Sequence, residues 1–79
     1  MNERERKFFQ EMSELGLTKN QSKIVFGLLS GKHIKQCGLP ETSLDRTMAE
    51  LHHLGIIEKT DGVWRIAAQK LGPLALALP

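Results

Sequence analysis

The stretch Leu39–Ala67, "LPETSLDRTMAELHHLGIIEKTDGVWRIA", decides the fold. It opens on a Leu39-Pro40 turn. Proline suits the entry to a helix, because its φ is already helical and its missing N–H is not needed there. From Glu41 to Leu54 the apolar residues recur at helical spacing. Leu44, Met48, Leu51 and Leu54 fall at intervals of four, three and three, which predicts one buried face. Gly55 closes that helix. "IIEKTDGVWRI" then reads as a hairpin. Asp61-Gly62 is the dipeptide best suited to a two-residue primed turn, because both positions need a positive φ. That turn sets Thr60 opposite Val63, Lys59 opposite Trp64, Glu58 opposite Arg65 and Ile57 opposite Ile66. Ile57, Lys59, Trp64 and Ile66 would share a face. Trp64 and Ile66 would bury against the helices, with the Lys59 stem folded across the indole. Glu58 and Arg65 would pair on the open face.

Working outward, "KHIKQCG" lies between Gly31 and Gly38 and has room for one to two helical turns. Before it, Thr18 is a good N-cap, with Gln21 at the reciprocal capping position. The helix this predicts runs from about Lys19 to Ser30. Ile24, Val25, Leu28 and Leu29 form its apolar stripe, with Leu17 just before it. A first helix, capped by Asn2, is expected to reach about Glu14. Its inward side would hold Phe8, Phe9, Met12 and Leu15, while "ERER" faces water. The tail "KLGPLALALP" alternates Leu and Ala after Pro73. A solvated tail is not normally so apolar. It is expected to pack on its own domain, to pack on another subunit, or to continue into further chain.

Seventy-nine residues with 41% hydrophobic and 25% charged side chains fit one globular domain, near the lower limit for a self-sufficient core. The single cysteine, Cys37, excludes an internal disulfide and fits a reducing compartment. No apolar run is long enough to span a membrane, and the charged N-terminus lacks a signal core. A cytoplasmic protein is expected. Net charge is +2, weak evidence for nucleic acid. Residues 1–16 carry −1 and residues 17–79 carry +3, so the positive excess lies with the opening stretch.

The element order is helix, helix, short helix, turn, longer helix, hairpin. "LGLTKNQSKIVFGLL" resembles the first helix of MarR- and TrmB-like regulators. "IKQCGLPETSLDRTMAELHHLGIIEKTDGVWRI" is similar to their helix-turn-helix and wing. The resemblance covers residues 15–67. It implies a mainly α fold with a small β-hairpin: a winged helix-turn-helix with a three-helix core plus wing and an added N-terminal helix. It departs from the family where "KHIKQCG" is shorter than the usual second helix. It departs again in a tight wing with one basic residue per strand and Asp61 at the tip. On this reading residues 1–14 are an N-terminal helix that can serve dimerisation, 15–67 the domain, and 68–79 a tail that packs or joins copies.

The resemblance implies sequence-specific binding of double-stranded DNA, by a small transcriptional regulator. Residues 41–54 would enter the major groove, where base edges are distinguishable. Placing Leu44 and Leu51 inward turns Thr42, Arg46, Ala49 and His53 outward. Thr42 and Ser43 offer hydroxyls to bases or phosphates, and Arg46 can fork onto guanine or clamp a phosphate. Lys35 and Gln36 would lie near the backbone, as would Lys59, Thr60 and Arg65 of the wing. His53 would reach a phosphate; His52 is a boundary residue. Asp45 and Glu50 oppose phosphate on the same helix. A homodimer would suit palindromic sites, joined through Phe8, Phe9, Met12, Leu74, Leu76 and Leu78. The alternatives are a winged-helix protein-interaction module or the DNA-binding head of a replication initiator. His33 and Cys37 are spaced for one metal, but two ligands do not make a zinc site. His52 and His53 point about 100° apart on a helix. Cys37 reads as a small buried hydrophobe. No phosphate loop, nucleophile elbow or carboxylate pair is present, so a non-enzyme without cofactor is expected.

Overall fold

A computed structural model describes residues 3–76, the Arg4 side chain excepted. The Asn2 cap and Leu78 lie outside the described residues. Among the described residues, four helices and one antiparallel hairpin follow in the order α1 (Glu3–Glu14), α2 (Lys19–Leu29), a 3-10 turn (Ile34–Gln36), α3 (Glu41–His53), β1 (Ile57–Thr60), β2 (Val63–Ile66) and α4 (Ala68–Ala75). The Cα radius of gyration is 11.6 Å, which matches the value of about 12 Å for a packed chain of this length.

Local rules set the helix ends. The Thr18 hydroxyl accepts from Gln21 N–H at 3.2 Å, and the Gln21 side-chain oxygen accepts from Thr18 N–H at 2.9 Å. Two of the donors that α2 leaves open are thereby satisfied reciprocally. The 3-10 turn repeats the device. His33 Nδ1 accepts from Lys35 N–H at 3.2 Å, and Gln36 Oε1 from His33 N–H at 2.9 Å. α3 ends where Gly55 N–H reaches the His52 carbonyl and Ile56 N–H the Leu51 carbonyl. In the hairpin, Asp61 and Gly62 have φ of 52° and 77°. Both angles suit the two-residue primed turn, whose twist matches that of the strands. The register is Ile57 with Ile66, Glu58 with Arg65, Lys59 with Trp64 and Thr60 with Val63. Glu58 and Arg65 stand opposite each other but form no ion pair.

One core joins all the layers. Phe8, Met12, Ile24, Val25, Leu51 and Ile57 are fully buried or nearly so, with Leu44, Met48, Ile66 and Leu74 around them. Phe8 meets the Phe26 ring edge-on at 5.2 Å between centroids, and Phe9 lies 5.8 Å from Phe26. Trp64 is half-buried, and Lys59 Nζ stands 5.6 Å from its ring centre.

Two further expectations, for Leu15 and Leu54, fail. Leu15 is 69% exposed, because α1 ends at Glu14 and the chain turns before the next apolar position comes round. Leu54 is 53% exposed. At about 100° per residue it stands roughly 80° from Leu44, at the edge of the stripe, and it is already the C-cap. The tail is a helix from Ala68 to Ala75 with Pro73 inside it, and Leu74 is its buried anchor. Ala67 N–H donates to the Ile56 carbonyl at 2.9 Å, so β2 is tied down just before α4 begins.

Cys37 is buried, and its sulfur occupies the space a side chain at position 27 would fill. A Cβ on Gly27 would overlap Cys37 Sγ, so glycine is what lets the 3-10 turn close on α2. Burial pushes the Cys37 thiol above its ordinary pKa, opposed by a smaller pull from Lys32. The thiolate is the reactive form. Iodoacetamide at pH 8 should therefore label Cys37 more than about tenfold more slowly in the native protein than in denaturant, as read by mass spectrometry. Equal rates would show an accessible thiol. Because the folded pKa is the higher one, this thiol costs no stability while it is protonated in both states, and stability falls as pH rises past its unfolded value and through the folded one.

Candidate nucleic-acid interface

α3 lies with Leu44, Thr47, Met48 and Leu51 buried. Thr47 satisfies its hydroxyl on the Ser43 carbonyl at 2.7 Å, so it is a neutral part of the inner face. Inward packing at these positions leaves Thr42, Asp45, Arg46, Ala49, Glu50 and His53 exposed, with Ser43 half-buried. Arg46 has no hydrogen-bond or ion-pair partner among the described residues.

The charges on α3 have two origins. Glu41 stands in the first turn, and His52 and His53 in the last. The first turn is the end where an acid stabilises the helix dipole. Asp45 and Glu50 have no such reason. Glu50 instead accepts a long hydrogen bond from Gln21 Nε2 at 3.4 Å, tying α3 to α2. No side chain caps the start of α3, where Pro40 is the N-cap.

The packing of α2 on α3 brings together residues that periodicity could not pair. Thr18, Lys19 and Asn20 line one cleft of about 310 Å³ with Arg46, Thr47 and Glu50. Lys19 and Asn20 are therefore neighbours of the Arg46 face. Their only signal in the sequence was their place after the Thr18 cap.

The hairpin meets α3 at its C-terminal end. β1 packs on α3, and the His52 ring stands edge-on to Trp64 at 5.5 Å. Lys59, Thr60 and Arg65 are exposed. Lys59 points across Trp64 while Arg65, on an adjacent strand position, takes the opposite face. The two cations thus do not share one surface of the hairpin. Lys35 is exposed; Gln36 is engaged in the cap at His33.

Of the residues expected to join two copies, Phe8 and Met12 lie wholly inside the protomer's own core, and Phe9 is half-buried against Phe26. Leu74 is buried too, whereas Leu76 is 88% exposed. Leu76 shares a shallow cleft with Leu15 and Pro73. Among the described residues, no group of three or more His, Cys, Asp or Glu is placed to hold a metal. No helix of the described residues is long and apolar enough to cross a membrane. No protein-family model, curated protein or solved structure matches the chain.

Proposed function

We propose that the chain is a winged helix-turn-helix module that binds double-stranded DNA as a small transcriptional regulator. α3 is its reading helix and the β1–β2 hairpin its wing. The observation that carries this reading is the outward row of α3. Thr42, Arg46, Ala49 and His53 project from a helix firmly anchored on its other face, and Arg46 is unpaired. A free guanidinium with a small neighbour one turn on suits close approach to a base edge. Lys19 beside Arg46 adds a second cation at the same edge. The uncapped first turn of α3 offers backbone donors to phosphate. A homodimer would double the limited contact area of one small module. Leu15 and Leu76, both exposed and lining one cleft with Pro73, are the surface nominated for it.

One observation favours a second reading, a protein-interaction module. Glu41, Asp45 and Glu50 outnumber Arg46 on α3, and acids near phosphates are costly. Fold alone does not choose between the two.

Anisotropy titration of a labelled random duplex separates them. With about four phosphates neutralised, affinity should fall roughly 100-fold between 50 and 200 mM salt. Arg46→Ala should then lower the salt slope by about one if it meets phosphate, or relax base preference by about 1–3 kcal/mol if it meets a base. No duplex binding at low salt, or wild-type binding by Arg46→Ala, would exclude the DNA reading.

A further inference from the structure

We infer that the cleft between the hairpin tip and the corner after α2 is a site for a small planar anion: a flat ring carrying a carboxylate or a phosphate. The inference stands apart from the DNA reading, because none of the α3 residues that carry that reading lines this cleft. The cleft encloses about 370 Å³. That is the low end of the range for small-molecule pockets, enough for one or two rings and too small for a helix.

Its walls are apolar and its rim is basic. Leu28, Ile34, Val63 and Trp64 supply the walls, and Lys32 and His33 stand at the rim; no carboxylate lines it. Trp64 is left half-buried by its own chain, and Val63 is 55% exposed. An indole face with an open apolar neighbour is a stacking wall for a planar ring.

The polar groups suit an anion rather than a cation. His33 Nδ1 already accepts from Lys35 N–H at 3.2 Å. The neutral imidazole must then carry its proton on Nε2, leaving that atom a donor. Lys32 brings a full charge. Lys59 Nζ and the His52 ring contact the same indole, at 5.6 Å and 5.5 Å from its ring centre, without lining the cleft themselves. The last carbonyls of α2 oppose an anion, but those of Gly27 and Leu28 are engaged by backbone donors. Lys32 N–H donates to the Gly27 carbonyl at 2.9 Å and Gly31 N–H to the Leu28 carbonyl at 3.1 Å. Asp61 precedes Gly62 at the exposed hairpin tip and does not line the cleft.

The test uses the full chain, whose single tryptophan reports on the cleft directly. Benzoate and adenosine monophosphate are titrated separately, each against its uncharged counterpart, benzamide or adenosine. Trp64 emission and backbone amide NMR shifts are followed. At least one anion is expected to give saturable changes with Kd at or below about 1 mM. The shifts should centre on Lys32, His33, Val63 and Trp64. Which anion binds identifies the source, carboxylate or phosphate. Lys32→Glu, at an exposed position and checked for fold by circular dichroism, should weaken binding at least tenfold. Equal response to the uncharged counterparts, no localised shift up to 20 mM, or wild-type affinity in Lys32→Glu would each overturn the assignment.

Discussion

Phe8→Ala is expected to cost about 3–5 kcal/mol, the range for removing a fully buried aromatic ring from a core. Phe8 is completely buried and meets both Phe9 and Phe26 at ring edges. Those pairs add to the loss, because edge-on aromatic contacts contribute beyond their buried area. A domain of this size has a total stability of only about 4–12 kcal/mol. The variant should melt at least roughly 12 °C lower or fail to fold. The measurement is a thermal melt by circular dichroism at two protein concentrations tenfold apart. A helix that served only to join copies would give a different result: a small loss, dependent on concentration. A loss under about 1 kcal/mol, or one that vanishes on dilution, would sink the placement of α1 in the core.

Residues close in sequence carried the legible part of the fold. Thr18 with Gln21 set the start of α2, and Asp61-Gly62 set a hairpin register that leaves no freedom once the turn is known. The role of α1 was not legible in the same way. Phe8, Phe9 and Met12 announce an apolar face but not what covers it. Phe26, the ring that meets Phe8 and Phe9, lies in a different helix. α4 was hidden for a local reason. Pro73 lacks the N–H that a helix interior uses, and Gly72 before it is a poor helix former, so the pattern reads against a helix. Leu74 is the buried residue of the helix.

The outward row of α3 was legible because one buried stripe fixes every other position on a helix. What lies beside that row was not. Lys19 and Asn20 approach Arg46 because α2 crosses α3 there, a contact that Gln21 and Glu50 help to hold. The hairpin cations show the same limit. Lys59 was rightly placed on Trp64, yet that placement is what separates it from Arg65. A count of basic residues on a hairpin overstates what one surface of it can offer.

Leu51→Ala should cost about 2–5 kcal/mol, with the position in that range set by how far the core can collapse. Leu51 is fully buried on α3, which packs against both α2 and β1. Its carbonyl also accepts from Ile56 N–H at 3.0 Å, so the backbone here is held by the turn into β1. A site pinned on two sides relaxes poorly, which argues for the upper half of the range. Leu51→Met keeps the volume and should cost less than about 1.5 kcal/mol. Chemical denaturation of both variants gives the comparison. The consequence reaches the candidate interface, because the same stripe that buries Leu51 is what turns Arg46 outward. Where Leu51→Ala still folds, β1 should lose amide-exchange protection before α1 does, since β1 packs on α3 and α1 on α2. Equal costs for Leu51→Ala and Leu51→Met would show that the site is not tightly packed, and the anchoring of α3 argued from it would fall.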